Sequence, residues 1–161
     1  MKTSPVRIAH MLRRRLRDRG YMLQSCSVPL DGAVEFKGKR SRSVTLVSPS
    51  DIDAAWERAG TSGGGGQPYW AQMWPAALAL ANAIGTRPEF CVAGSRVLDF
   101  ACGLGLPGIA AVDAGGLVDF ADIAGDALLF ARLNCDINLR CDRLGCDALR
   151  PQFRQFDWQT D

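Results

Sequence analysis

Histidine is almost absent from this sequence, since His10 is the only one among 161 residues. A histidine-based zinc site or a Ser-His-Asp triad therefore has too few of the side chains it requires. The spacing of Cys135, Cys141 and Cys146 differs from that of a Cys-x-x-Cys zinc pair. Long apolar runs are also lacking, and none approaches the ~18 residues that a transmembrane helix needs. We therefore expect no metal site and no membrane span.

The overall composition is that of an ordinary globular domain, with 47% apolar and 22% charged residues. A chain of this length can form one hydrophobic core. Six cysteines without an apolar secretory segment indicate reduced thiols and a cytoplasmic protein. The beginning of the chain is rich in arginine and poor in acids, as mitochondrial transit peptides are, so mitochondrial targeting is the alternative.

Charge is unevenly distributed along the sequence. Residues 1–42 contain eleven of the 19 basic residues but only three of the 17 acidic ones. This pattern is typical of a basic N-terminal segment on an acidic body, and the simplest expectation is that the two lie against each other. No aromatic residues alternate with the arginines of the first helix, which disfavours nucleic acid as a partner.

A glycine run at 63–66 is the strongest signal of an internal boundary. Before it, the sequence predicts a helix from Pro5 to Gly20, strands at 21–28, 33–37 and 44–47, a hairpin turn at 29–32 and a short helix that ends at Gly60. We therefore predict three parts: a basic N-terminal extension over 1–60, a glycine-rich linker over 61–67 and a cofactor-binding half-domain over 68–161.

Beyond the linker, strands and helices alternate. The predicted elements are a helix over 70–84, a strand over 96–100, a helix over 103–114, a strand over 118–121, a helix over 126–138 and a strand near 153–156. Strands and helices at this spacing form βαβ units with right-handed crossovers. The sequence thus predicts an α/β fold with a Rossmann-like parallel sheet and a small N-terminal helix and strand extension.

The clearest chemical signal lies where the first strand of this sheet meets its helix. Asp99 stands near the end of the strand, and Gly103, Gly105 and Gly108 follow it. Glycines let a ligand approach the backbone closely, and the helix N-terminus favours a negatively charged group. Asp122 follows the next strand, where a carboxylate can accept hydrogen bonds from both ribose hydroxyls of a nucleoside.

These residues resemble a known family. Residues 97–105 look like motif I of the seven-β-strand S-adenosylmethionine-dependent methyltransferases, and residues 122–128 look like their post-I motif, which Asn134 also fits. The segments 69–75 and 157–158 are similar to methyltransferase family 16, which includes protein-lysine methyltransferases and nicotinamide-methyltransferase-like proteins. The resemblance covers about residues 44–161. It implies S-adenosylmethionine as the cofactor and a protein lysine or a small amine as the methyl acceptor.

The resemblance also implies which residues contact the cofactor. Gly103 and Gly105 would approach its methionine part, and Asp99 would help to hold the amino group. Asp122 would bind the ribose. Asp157 and Trp158 would frame the adenine, and Trp74 would close over the cofactor from the N-terminal side.

The sequence departs from the family pattern in two ways. Ala101 stands where the family usually has its first glycine, which costs little if its φ angle is negative. The motif that follows the family's fourth strand has no counterpart in residues 1–161, so no catalytic residue is named. We expect a chain truncated after the third sheet strand, with residues 97–100 as an apolar edge strand. Such a monomer would be poorly stable, or a second chain would complete the sheet.

Two other functions are also compatible with the sequence. The glycines and the later acid fit the fingerprint of an NAD(P)-dependent oxidoreductase, although the carboxylate of Asp99 is unfavourable near a pyrophosphate. The second alternative function is that of a methyltransferase remnant that acts as a non-enzymatic binding module. For a methyltransferase, the protein chiefly positions and desolvates the acceptor, so it requires no nucleophile of its own.

Overall fold

The structure is a computed structural model that describes residues 5–30, 42–61, 67–91, 93–138, 150–157 and 160. Short 3-10 turns lie at Tyr69–Ala71 and Pro88–Phe90. The helices and strands, in chain order, are α1 Pro5–Asp18, β1 Leu23–Leu30, β2 Arg42–Pro49, α2 Ile52–Thr61, α3 Pro75–Thr86, β3 Arg96–Phe100, α4 Leu106–Asp113, β4 Leu117–Asp122, α5 Gly125–Asn138 and β5 Gln152–Gln155.

The second half of the chain forms a parallel three-stranded sheet in the order β3–β4–β5. Helix α4 connects β3 to β4, and α5 follows β4, so the predicted α/β fold with a Rossmann-like parallel sheet is confirmed. Among the described strands, β3 pairs on one side only. Its outer face exposes Leu98 to 60% and Phe100 to 49%, which confirms the predicted apolar edge strand.

The first half of the chain contributes an antiparallel hairpin. Strand β1 pairs with β2 from Leu23 opposite Pro49 to Leu30 opposite Arg42. The turn predicted at 29–32 is therefore wrong for its first two residues, because Pro29 pairs within the strand with Ser43. Proline has no N–H, and β1 tolerates it because β1 is an edge strand. The strand predicted at 33–37 lies outside the described residues.

Helices α1 and α2 begin as their sequences indicate. Helix α1 starts at Pro5 and buries Leu12 and Leu16, whereas Met11, which was predicted on the same apolar face, is exposed. Asp51 is the N-cap of α2, because its Oδ1 accepts a hydrogen bond of 2.9 Å from the Ala54 N–H.

Helix α3 starts later than predicted. The helix expected over 70–84 begins at Pro75, and a separate 3-10 turn precedes it. Trp74 is held in an extended conformation, with φ −85° and ψ 142°, because a residue before proline disfavours the helical region. Pro75 itself fits the first helical position, where its missing N–H costs no bond.

Helix α5 lies between two groups of buried side chains. In one group, Leu128 and Ala131 pack with the sheet and with residues of β1 and β2. In the other, Phe130 and Leu133 pack with the apolar face of α1. In each group, residues from before and after the glycine run pack together. The division into 1–60, 61–67 and 68–161 stays a prediction. Within the described ranges, no helix is long and apolar enough to cross a membrane.

Candidate functional site

A tight loop joins β3 to α4 at the carboxyl end of the sheet; we call residues 101–105 the glycine loop. Gly103 and Gly105 have φ angles of +50° and +81°, in the left-handed region that favours glycine. The Gly105 N–H donates a hydrogen bond of 2.7 Å to the carbonyl of Cys102, and Gly105 is the N-cap of α4. A Cβ at Gly105 would lie 3.1 Å from Cβ of Ala131, so glycine at this position also lets the loop pack closely against α5.

Ala101 does not have the negative φ angle with which an alanine at this position would cost little stability. Its φ angle is +54°, and among the described residues it is the non-glycine residue with positive φ. The φ angle is positive because the chain turns sharply as it leaves β3. An L-residue in this region brings its Cβ close to the following carbonyl, which costs roughly 1–2 kcal/mol.

Asp122 connects the end of β4 to the glycine loop. Its side chain is buried, its Oδ2 accepts a hydrogen bond of 2.9 Å from the Gly103 N–H, and its Oδ1 accepts one of 2.9 Å from the Ala124 N–H. Each carboxylate oxygen has two lone pairs, and among the described residues each accepts one hydrogen bond, so each retains one acceptor position. Two predicted site residues, Asp122 and Gly103, are thus brought into direct contact.

Asp99 lies beneath the start of α4. Its Oδ2 accepts a hydrogen bond of 2.9 Å from the Gly108 N–H. Burial raises the pKa of this carboxyl to about 7, against the lowering effect of the Gly108 N–H and with a further increase from the charge of Asp122. The two acids therefore differ: Asp99 changes its charge near neutral pH, and Asp122 holds the loop backbone.

Cys102 sits in the glycine loop with its side chain buried. Burial raises the pKa of its thiol far above the ordinary range, and the neighbouring carboxylates of Asp99 and Asp122 raise it further. A thiolate is disfavoured there, and the thiolate is the nucleophilic form. In the described part of the chain, no group of three or more His, Cys, Asp or Glu side chains is arranged to hold a metal ion.

Of the residues predicted to frame the adenine, Asp157 lies at this edge of the sheet. The Phe156 N–H donates a hydrogen bond of 3.1 Å to the carbonyl of Asp122, which brings the half-buried Asp157 next to the end of β4. Trp74 is 44% exposed at the start of α3, and its Nε1 donates a bond of 2.7 Å to the carbonyl of Tyr69. Trp158 lies outside the described residues. The Trp74 ring also lies 6.1 Å from the ring of Tyr69, between centroids.

Asn134 is the residue whose contacts sequence reasoning missed. Its side chain is fully buried, and its Nδ2 donates to the carbonyls of Val47 at 3.1 Å and Leu104 at 3.0 Å. Its Oδ1 accepts from the Val47 N–H at 2.7 Å. The signal available in the sequence was the fit of Asn134 to the post-I pattern, which gives no partners.

Comparison with known proteins bears directly on this site. Over 77 residues the chain is 42% identical to the electron transfer flavoprotein beta subunit lysine methyltransferase of Xenopus laevis, and over 72 residues it is 42% identical to the protein of that name from Danio rerio. The chain is similar to lysine methyltransferases. The expected resemblance to methyltransferase family 16 is thereby confirmed. No protein-family model matches the chain.

The similarity covers only part of this chain and only part of each relative. The two matches cover 45% and 44% of this chain, and 30% and 28% of the two relatives. The chain thus spans less than a third of the length of the curated relatives it matches.

Proposed function

We propose that this chain belongs to an S-adenosylmethionine-dependent methyltransferase that methylates the side-chain amine of a protein lysine. The observation that carries the proposal is the bond between the Gly103 N–H and Asp122, which joins the glycine loop to the acid of the neighbouring strand. The similarity to two lysine methyltransferases supports the same activity. A small amine is the alternative acceptor.

The residues at the sheet edge fit this cofactor by their chemistry. Asp122 is a buried acceptor with one free position on each oxygen, as two ribose hydroxyls require. Asp99 is a carboxyl that an adjacent ammonium group would ionise, so binding of the amino group and loss of the Asp99 proton favour each other. Asp157 and Trp158 are proposed to frame the adenine, and Trp74 to close over the cofactor from the N-terminal side. Ala101, Gly103 and Gly105 are proposed to line the methionine part.

When bound, S-adenosylmethionine supplies an electrophilic methyl group. The task left to the protein is to hold the acceptor amine in line and to exclude water from it. A lysine amine must lose its proton before it can react, and a desolvated pocket lowers the pKa of a lysine. The cytoplasmic location, the mitochondrial alternative and the completion of the sheet by a second chain stay predictions.

The first test is calorimetric titration of S-adenosylhomocysteine into the 161-residue chain. Asp122→Ala should weaken binding at least about tenfold, because it removes the acceptor for the ribose. Asp122→Asn keeps the shape of the side chain and serves if the alanine variant unfolds. Asp119→Ala is the matched control: Asp119 lies three residues earlier on β4, half-exposed, in an ion pair with Arg154.

This titration is combined with a comparison of S-adenosylhomocysteine and NAD as thermal stabilisers, and together they decide between the functions. Binding that is lost in the Asp122 variants and kept in the Asp119 variant supports the methyltransferase site. Thermal stabilisation by NAD in place of S-adenosylhomocysteine would identify an oxidoreductase. A folded chain that binds neither compound would contradict the proposal.

The second test addresses the acceptor. The chain is incubated with methyl-labelled S-adenosylmethionine and the electron transfer flavoprotein beta subunit, which the names of the relatives identify as their protein substrate. Label should appear on lysine and should disappear when the lysines are acetylated beforehand. Cofactor binding without transfer to this protein or to small amines would instead support a binding module.

A further inference from the structure

The geometry points to Asn134 as the positioning residue of the glycine loop, and to strand β2 as the support through which it acts. One carboxamide on α5 binds both the Val47 backbone of β2 and the Leu104 carbonyl in the loop. We infer that Asn134 holds the loop in its cofactor-binding shape and couples that shape to the N-terminal hairpin. This inference rests on the proposed function.

The peptide between Leu104 and Gly105 is the part of the loop that needs a support. Of the two residues that it joins, Gly105 is a glycine with a φ angle of +81°, so at that end sterics offer little resistance to its rotation. Because a peptide is planar, the Leu104 carbonyl and the Gly105 N–H rotate together. The carbonyl is fixed by Asn134 at 3.0 Å, and the N–H is fixed by the Cys102 carbonyl at 2.7 Å.

Removal of the Asn134 carboxamide would release one end of this peptide. The Leu104 side chain is buried, so its carbonyl has poor access to a replacement from water. Because a buried carbonyl without a hydrogen-bond donor is unfavourable, the peptide would tend to rotate until this carbonyl meets another donor. The same rotation would break the bond from Gly105 to Cys102, which sets the start of α4.

Asn138 provides a matched control one helical turn away. Its Oδ1 accepts from the Thr45 N–H at 2.8 Å, and its Nδ2 donates to the Thr45 carbonyl at 2.7 Å, just as Asn134 does with Val47. Its remaining hydrogen goes to the carbonyl of Asn134 within α5, at 2.7 Å. The two asparagines therefore support β2 alike, and Asn134 also reaches the loop.

The experiment compares Asn134→Ala with Asn138→Ala at a temperature where both variants are folded. Asn134→Ala should weaken S-adenosylhomocysteine binding about tenfold, and Asn138→Ala by less than about twofold. Amide hydrogen exchange of Gly105, measured without ligand, should be about tenfold faster in Asn134→Ala than in Asn138→Ala. If Asn134 only stabilised the fold, the two variants would show equal losses of affinity and equal Gly105 exchange rates.

A replacement variant and a ligand-free measurement keep the inference testable. If Asn134→Ala does not fold, Asn134→Leu replaces it; this uncharged side chain of similar shape fills the same buried space and removes the N–H donor to the Leu104 carbonyl. Equal affinity and equal Gly105 exchange in the Asn134 and Asn138 variants would overturn the inference. If the wild-type chain binds no S-adenosylhomocysteine, the proposed function fails, while the Gly105 exchange still decides the role of Asn134.

Discussion

The backbone N–H of Gly108 donates a hydrogen bond of 2.9 Å to Oδ2 of Asp99, and no side chain fits at Gly108. A Cβ there would lie 2.7 Å from that oxygen and 2.3 Å from Cε1 of Phe120. Phe120 is fully buried and stacks on Phe153, so its ring cannot easily move aside. The first turn of α4 is therefore held directly against the sheet.

Gly108→Ala should destabilise the chain by about 1–3 kcal/mol, because the added methyl group overpacks a rigid contact. Urea unfolding measures the change. Gly125→Ala is the control, since a Cβ at Gly125 would lie 3.4 Å from Oε1 of Gln155, an ordinary contact with a flexible side chain. Similar stabilities of the two variants would contradict the close contact at Gly108.

Ala101→Gly should stabilise the chain by about 0.5–1 kcal/mol. Glycine adopts the φ of +54° without the Cβ penalty, and this gain exceeds the entropy that glycine adds to the unfolded state. Ala83→Gly, within α3, should instead destabilise by about 1 kcal/mol. A loss of stability in both variants would argue that Ala101 is not strained.

The raised pKa of Asp99 predicts a pH dependence of stability. Between pH 4 and 7 the carboxyl is protonated in the folded chain and ionised in the unfolded chain, so the folded state binds more protons. The free energy of unfolding should then fall as pH rises through this window, by at most about 1.4 kcal/mol per pH unit, and level off above pH 7.

Asp99→Asn tests this dependence, because the amide oxygen can still accept the Gly108 N–H. Other carboxyl groups titrate in the same window, so the informative quantity is the difference between wild type and variant, from unfolding curves at pH 4 to 8. The variant should gain relative stability as pH rises. A difference independent of pH would mean that Asp99 titrates normally.

Tyr21→Phe should lower the free energy of unfolding by about 1–2 kcal/mol. The Tyr21 hydroxyl donates a hydrogen bond of 2.7 Å to Oδ2 of Asp126, in the first turn of α5, and Arg19 forms an ion pair with the same carboxylate. Tyr69→Phe, at an exposed hydroxyl, should change stability by less than about 0.5 kcal/mol. Equal effects in urea unfolding would indicate that Tyr21 does not join α5 to the N-terminal segment.

Leu98→Lys should reduce self-association of the chain without lowering its stability. Leu98 is 60% exposed on the edge strand β3, where an added charge opposes pairing with another strand. Sedimentation velocity at increasing concentration measures the effect. Met22→Lys, at a side chain that is 65% exposed away from this edge, is the control. If both variants reduce association equally, the edge of β3 is not responsible.

The parallel sheet could be predicted from sequence because its signals are local. Short apolar strands, a glycine turn and an acid near the end of each strand specify β3, α4 and β4 without knowledge of distant residues. The contact between Gly103 and Asp122 followed from the same topology, since parallel strands end at one edge. The start of α3 was misplaced because the apolar pattern outweighed Pro75, whose conformational restriction was the correct signal.

The remaining features depend on information that no single segment contains. Asn134 fitted a motif, but its partner Val47 lies 87 residues earlier in the chain. The φ angle of Ala101 reflects how the loop closes on Asp122, and alanine alone does not reveal it. The packing of α1 against α5 is also long-range, although the charge distribution indicated that these segments attract.

The paired asparagines of α5 close one side of the hairpin to strand addition. Four helix residues rise about 6 Å and two strand residues about 6.7 Å, so amides four apart match alternate residues of β2. Asn138 and Asn134 serve Thr45 and Val47 in this way. A further step would set position 130 against Pro49, which has no N–H, and there the helix carries Phe130. The two asparagine side chains thus form the hydrogen bonds with β2 that a neighbouring strand would otherwise form. The repeat of asparagines ends opposite Pro49, where the backbone has no N–H donor.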